Sequence, residues 1–282
     1  MDTMEREHLR QWIGRRHVDH DIASLRHARL MAATVDRGGP ALEEGDALPP
    51  LWHWLYFLDG LPPAQLGPDG HPARGGFLPP VPLSNRMWAG GRIDFFAPLP
   101  IGAAIEKRSR VQSIEHKHGR SGDLVFVTVL HEVLAAGTCC LREEHDIVYR
   151  NPVAPGLVPV SAAGQPATEH QRAWQPDSTQ LFRYSALTFN GHRIHYDADY
   201  CRQVEGYDNL VIHGPLIATM LAGLAEEMGG GALKRFAYRA LNPALLGTQL
   251  MLNARRDGIG WALWTTLADG RVGMQAEASL GG

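Results

Sequence analysis

Residues 211–228 read VIHGPLIATMLAGLAEEM, and the way this stretch is buried decides the fold. Pro215 stands where the first turn of a helix needs no N–H. The run that follows is apolar on most faces: Leu216, Ile217, Met220, Leu221 and Leu224, with small Ala218, Ala222, Gly223 and Ala225 between them. A helix of that composition has little face to offer water and needs to be enclosed. The downstream chain supplies the enclosure. LKRFAYRAL (233–241), TQLMLNARRDG (248–258), IGWALWTTLAD (259–269) and RVGMQAEASL (271–280) are β-rich runs. An antiparallel sheet alternates its faces and needs an apolar cover on the buried side, so a helix wrapped by a sheet satisfies both elements.

The same order occurs earlier in the chain. DHDIASLRHARLMAATVD (19–36) reads as helical, with apolar Ile22, Leu25, Leu30 and Ala33 near a 3.6-residue period, and PPLWHWLYFLDG (49–60) reads as a short apolar helix. Residues 60–91 are rich in Gly and Pro and carry no period, which predicts a long loop, of the kind that is either functional or poorly ordered. Then come GRIDFFAPL (91–99), AAIEKRSRVQSIEHK (103–117), DLVFVTVLHEVLA (123–135) and GTCCLREEHDIVYR (137–150), a meander of long strands. A Pro/Gly/Ala-rich stretch from Asn151 to Pro176 separates the halves. The expectation is an α+β fold in which a helix wrapped by an antiparallel sheet is built twice, a repeat in pattern and not in identity. The boundaries are 1–155 for the first unit, 156–176 for the linker and 177–282 for the second.

Bulk properties narrow the function. The 282 residues suffice for two modest domains, and a formal charge of −3 gives no reason to expect nucleic acid or an anionic membrane as partner. Lysine occurs only at 107, 117 and 234, and arginine supplies the other positive charges. No apolar stretch approaches the roughly 20 residues of a spanning helix. The charged N-terminus lacks the apolar core of a secretory signal. Three cysteines, two of them adjacent, make neither a disulfide framework nor a metal-binding spacing. A reducing cytoplasm is the expected location.

Chemistry gathers in SALTFNGHRIHYD, residues 185–197, which follows the run STQLFRYSALTF (178–189), read as a strand. Here Asn190, His192, Arg193, His195 and Asp197 lie within eight positions, and His213-Gly214 opens the apolar helix downstream. Tyr184 and Phe189 read as core. His116, His118 and His131 sit at strand spacing and read as face or turn residues. The stretch 107–110 and the pair Arg255-Arg256 read as solvated strand faces.

This arrangement resembles the MaoC-like (R)-specific enoyl-thioester hydratases of the hot-dog superfamily. Their signature is an acidic residue, four intervening residues and His-x-Asp, followed by a His-Gly that opens the central helix. Asn190, His195-Tyr196-Asp197 and His213-Gly214 meet the offsets. RMWAGGRIDFFAPLPIGAAIEKRSRVQSIEHKHGRSG (86–122) resembles the degenerate first domain of two-domain members. The resemblance covers most of the chain. It extends to the itaconyl-CoA and mesaconyl-C4-CoA hydratases and to the mitochondrial-type 3-hydroxyacyl-thioester dehydratases. It implies a double hot-dog, a hydro-lyase reaction on an acyl-CoA, no cofactor beyond the coenzyme A of the substrate, and one active site per chain. A homodimer is compatible with it.

One departure matters: the acidic position of the signature is Asn190. An amide can hold a water but cannot accept its proton, so the basic step falls on His195, whose ordinary pKa of about 6.5 suits reversible proton transfer. His192 is a second proton carrier or a loop stabiliser, and Asp197 is the candidate to fix the imidazole tautomer. The Gly214 N–H, at a helix start, is the candidate donor to enolate charge on the thioester oxygen. Without a Cβ, Gly214 lets the thioester approach. His213 and His192 complete the binding wall. A dicarboxylic acyl group such as itaconyl or mesaconyl calls for an arginine, and Arg193, Arg86 and Arg92 are the candidates. Competing readings are a fatty-acid-type dehydratase, a thioesterase, a non-catalytic acyl-thioester binder, and a metal centre built from His192, His195, Asp197 and His213. No metal is expected.

Overall fold

The computed structural model describes residues 3–119, 122–151 and 167–281. The expected boundary at 155/156 and most of the expected linker lie outside them. Ten strands form one antiparallel sheet: β1 (Arg16–Ile22), β2 (Asn85–Phe95), β3 (Ala104–Gly119), β4 (Gly122–Ala135), β5 (Thr138–Arg150), β6 (His170–Trp174), β7 (Leu233–Ala240), β8 (Leu250–Asp257), β9 (Gly260–Thr266) and β10 (Val272–Leu280). Their spatial order is β1-β3-β4-β5-β2-β7-β10-β9-β8-β6. Adding five to each label of the first half gives the second half in mirror order, so the repeat read from sequence pattern is a repeat of topology. The halves join where β2 pairs with β7, from Gly90↔Arg239 to Asp94↔Arg235. Strand β6 falls inside the stretch read as linker; it pairs with β8 from His170↔Ala254 to Trp174↔Leu250.

The predicted central helix is α5 (Gly214–Gly229). Pro215 sits in its first turn, and Gly230 ends it in the left-handed region, φ 67°, with its N–H on Glu226 O. Leu216, Ile217, Ala218, Leu221, Ala222, Leu224 and Ala225 are buried against the concave face of β7–β10. That face carries Phe236, Leu263, Ala276 and Ala278 in register, all buried. Removing one of these leucines costs on the order of 2–5 kcal/mol through lost transfer energy and the cavity left behind.

The first half departs from its twin in one element. No long helix fills its concave face among the described residues. The covering is a 3₁₀ turn, Trp52–Leu55, with irregular chain around it, while α2 (Leu25–Thr34) packs on α3 (Ser178–Leu187) and on that turn. Two local readings also change. Residues 16–22 form strand β1, and the helix begins only at Leu25, burying Ala28, Met31 and Thr34 while Ile22 and Leu30 are exposed. Residues 178–187 form helix α3 (Ser178–Leu187), not a strand. Asp177 caps it by accepting from Gln180 N at 2.8 Å, and Leu181, Tyr184 and Leu187 are buried at helical spacing. The cap satisfies an orphan N–H, and the three-residue burial step overrides the β propensity of the aromatics.

Candidate active site

Leaving α3, the chain takes a left-handed step at Phe189 (φ 49°), where its ring is exposed and not core. Asn190 Oδ1 then accepts from His192 N at 3.0 Å. A single 3₁₀ turn, Arg193–His195, points His195 inward, 7 % exposed. Its Nδ1 lies 2.7 Å from Val211 O. A carbonyl only accepts, so Nδ1 carries the hydrogen and Nε2 keeps the free lone pair. Burial pushes the His195 pKa down to about 4, against a smaller upward pull from the Val211 bond. The His213 ring stacks on it, centroids 3.6 Å apart at 19°. His213 Nε2 bonds Ser185 Oγ at 2.8 Å, and the buried Tyr184 ring meets its edge. Burial and the neighbouring histidine hold His213 well below its ordinary value. Both imidazoles are therefore neutral at physiological pH. His195 lines an open cleft of about 380 Å³ together with Ser178, Thr179, Phe182, Tyr196 and Leu210.

The long loop of the first half closes on this segment. Gly70 (φ 86°) rests so tightly on Gly191 that a Cβ would lie 2.0 Å from Gly191 O. Arg193 N donates to Asp69 O at 2.9 Å, and Arg193 Nη1 to Pro68 O at 3.2 Å. This brings Asp69 and His71 to the motif. His71 donates through its backbone N to Asp69 Oδ1 at 3.0 Å, and its Nδ1 lies 3.3 Å from Oδ2. The His71 ring is 4.2 Å from the His192 ring, which stands edge-on to His195 at 5.5 Å. Burial lowers the pKa of His71, and takes His192 down to about 2 with help from His71 and His195. Burial works against the Asp69 carboxylate, but the His71 hydrogen bonds hold its pKa well below the usual range.

Sequence reading missed both residues. The stretch PDGHP (68–72) carries a turn signal with an acid and an imidazole, but nothing local says where the turn docks. Trp88 and Tyr238 were missed for the same reason. They stack at 4.4 Å across the junction between the halves.

Four readings are corrected. Asp197 does not orient His195: its Oδ1 caps Tyr200 N at 2.9 Å and its Oδ2 bonds Arg193 Nη2 at 2.7 Å. The tautomer is set by Val211 O instead. Arg193 and Arg92 are both paired with carboxylates of the chain itself. Arg193 is held by Asp197 and lies over the Tyr200 ring. Arg92 binds Glu144 and Asp146 at 2.6 Å each, on the opposite side of β2 from buried Ile93. At Gly214 the missing Cβ makes room for Trp88, whose Cε3 would lie 2.7 Å from a Cβ there. The first-turn N–H groups of α5 still lack intrahelical acceptors. The metal set His192, His195, Asp197 and His213 does not converge, because Asp197 faces Arg193.

Arg86 is different. It lies on β2 opposite Tyr149, and its charge acts on Asp69, His71, His192 and His145. No carboxylate forms an ion pair with it among the described residues. The KRSR stretch is mostly a strand face, as read: Lys107 pairs with Asp19 and Arg108 with Glu106. His116 and His118 share Asp123. His131 is half-buried on its strand, with Nδ1 2.8 Å from Ser109 Oγ.

The hydroxyacyl-thioester dehydratase type 2 family model matches residues 51–246. The chain belongs to that family. It is 43 % identical to the mesaconyl-C(4)-CoA hydratase of Chloroflexus aurantiacus over 272 residues, 96 % of this chain and 97 % of that one. Among solved structures, a MaoC-like dehydratase from Phytophthora capsici superposes with TM-score 0.71 at 12 % identity, covering 98 % of both chains. A Mycobacterium tuberculosis protein described as a double hotdog fold does so with TM-score 0.62 at 12 % identity, covering 94 % of this chain and 95 % of that one. The chain is thus an α+β double hot-dog, as its sequence pattern implied, with both halves drawn into one sheet. No helix among its described residues is long and apolar enough to cross a membrane.

Proposed function

We propose that this protein catalyses the reversible hydration of an enoyl-CoA thioester, with a C5-dicarboxylic acyl group such as mesaconyl or itaconyl as substrate and citramalyl-CoA as product. One observation carries the reading. In a chain 43 % identical to a mesaconyl-C(4)-CoA hydratase, His195 has its Nδ1–H fixed on Val211 O and lines an open cleft.

In this reading, His195 Nε2 takes a proton from a water as its oxygen bonds to Cβ. The π electrons move through Cα to the thioester oxygen, where the Gly214 N–H at the start of α5 meets the developing charge. The protonated imidazole then returns its proton to Cα, so the overall change adds H and OH and needs no cofactor. Asn190 Oδ1 is already engaged by His192 N, which leaves its NH₂ to hold the water. Arg86 is the cation for the second carboxylate. Residues 177–282 hold the catalytic set, and the first unit, 1–155, supplies the wall and lid. Exposed Phe182 and Tyr196 at the cleft suit the pantetheine arm. The three unpaired cysteines suit a reducing cytoplasm.

The test is a substrate panel of mesaconyl-C4-CoA, itaconyl-CoA and crotonyl-CoA with wild type and Arg86→Gln. Loss of the conjugated-thioester absorbance without thiol release supports hydration. Thiol release would mean a thioesterase, and unchanged substrates a binder. Losing a charged hydrogen bond worth roughly 1.5–3 kcal/mol should cut kcat/KM on the dicarboxylic substrates about 10- to 150-fold, and leave crotonyl-CoA nearly untouched. Equal losses on all three would remove Arg86 from substrate selection.

A further inference from the structure

Among the described residues, one set of side chains combines imidazoles and a carboxylate closely enough to share an ion: Asp69, His71 and His192, whose ligand atoms lie within 4.8 Å of one another. Two come from the loop of the first half and one from the catalytic segment. The backbone contacts that join those segments, Gly70 on Gly191 and Arg193 N on Asp69 O, hold the set together. The carboxylate is already oriented by the His71 backbone N–H. All three side chains are partly exposed, so an ion can enter with part of its water shell.

We propose that Asp69, His71 and His192 form a divalent transition-metal site that inhibits the enzyme when occupied. Two imidazoles and one carboxylate select Zn²⁺, Co²⁺ or Ni²⁺ over Mg²⁺ and Ca²⁺, which prefer all-oxygen shells. A tetrahedral ion with bonds of about 2.0–2.1 Å holds its donors roughly 3.4 Å apart. The side chains therefore need to draw in by no more than about 1.5 Å, within the reach of small χ rotations. Arg86 opposes the ion with its own charge, so binding is reversible and not structural. Water fills the remaining positions.

The inhibition follows from placement and rests on the hydratase reading above. His192 stands 5.5 Å from His195. An ion on its ring adds positive charge beside the base that has to accept a proton, and ties the loop to residue 192. The hydration step proposed above uses no metal, so stripping a bound ion from this site raises activity.

The experiment uses the full chain without a histidine tag, stripped of metal and titrated with Co²⁺ and Zn²⁺ by calorimetry, with Co²⁺ d–d absorption as a direct report of ligation. The expected result is one tight site per chain, weakened at least about tenfold in His71→Ala, His192→Ala and the near-isosteric Asp69→Asn. The double variant His116→Ala/His118→Ala, which removes the surface pair on Asp123, should bind like wild type. Absence of a saturable site, or full binding in all three ligand variants, overturns the site. Because titration needs no substrate, this outcome is independent of whether the chain hydrates anything. Hydration should fall in step with occupancy and return on adding chelator; full activity with the site filled overturns the inhibitory role.

Discussion

Replacing Gly70 with Ala tests whether the loop of the first half is built onto the catalytic segment. Two costs are separable. Gly70 has φ 86°, a conformation in which a Cβ costs about 1–2 kcal/mol. In addition, the new Cβ would sit 2.0 Å from Gly191 O and 2.9 Å from Gly191 C, both backbone atoms. Relief requires a shift of about 1 Å or more, the scale on which hydrogen bonds fail. The two bonds at risk are Arg193 N to Asp69 O and Arg193 Nη1 to Pro68 O, each worth about 1 kcal/mol net. Gly14 is a matched control, since its φ is 85° and nothing lies within 4 Å of the Cβ position. Gly14→Ala should therefore cost about 1–2 kcal/mol, and Gly70→Ala about 3–4 kcal/mol, or the loop should undock and cap that cost. Urea unfolding of both variants measures the difference, and amide exchange over residues 67–71 and 190–193 distinguishes strain from undocking. A displacement of 1 Å near reacting groups can cost about 100-fold in rate, so kcat/KM should fall in Gly70→Ala only. If the two variants match in stability, exchange and turnover, the loop does not rest on Gly191 and the site as described is wrong.

Three further outcomes are expected. His195→Ala should reduce hydration about 10²- to 10⁴-fold with an unchanged far-UV spectrum; near-normal turnover would dismiss His195 as the base. Because the base works in its neutral form and burial sets its pKa near 4, kcat/KM should stay level as pH falls through 6.5 and drop only near pH 4. An acid limb centred at 6.5 or above would contradict the buried geometry. In the first half, Glu143 is buried with His53 Nε2 donating to it at 2.9 Å and Trp54 Nε1 at 3.1 Å. Glu143→Ala breaks this pair at a cost of about 3–5 kcal/mol, roughly 10 °C in Tm for a chain of this size. A thermal melt within 2 °C of wild type would show that the cluster adds little.

Sequence alone determined the elements whose burial follows a local period. The helix at 214–229 is apolar on most faces, and the strands of both meanders carry their β character within single runs, so each could be read without knowing its neighbours. His195 and His213-Gly214 were legible because their spacing lies within one continuous segment. Where local signals competed, only tertiary structure decided. Residues 178–187 carry strand-like aromatics, yet an Asp177 cap and a buried stripe at Leu181, Tyr184 and Leu187 make them a helix. The charged positions divide in the same way. Arg86, Arg92 and Arg193 are equivalent as letters, but a bulge between Trp88 and Gly90 puts Arg86 and Arg92 on opposite faces of β2, so that Arg92 meets Glu144 and Asp146, Asp197 takes Arg193, and Arg86 alone acts on the histidine cluster. Asp69 and His71 are separated from His192 by more than a hundred residues. Their meeting depends on two glycines with no side chain to keep the backbones apart, a contact that no local pattern encodes.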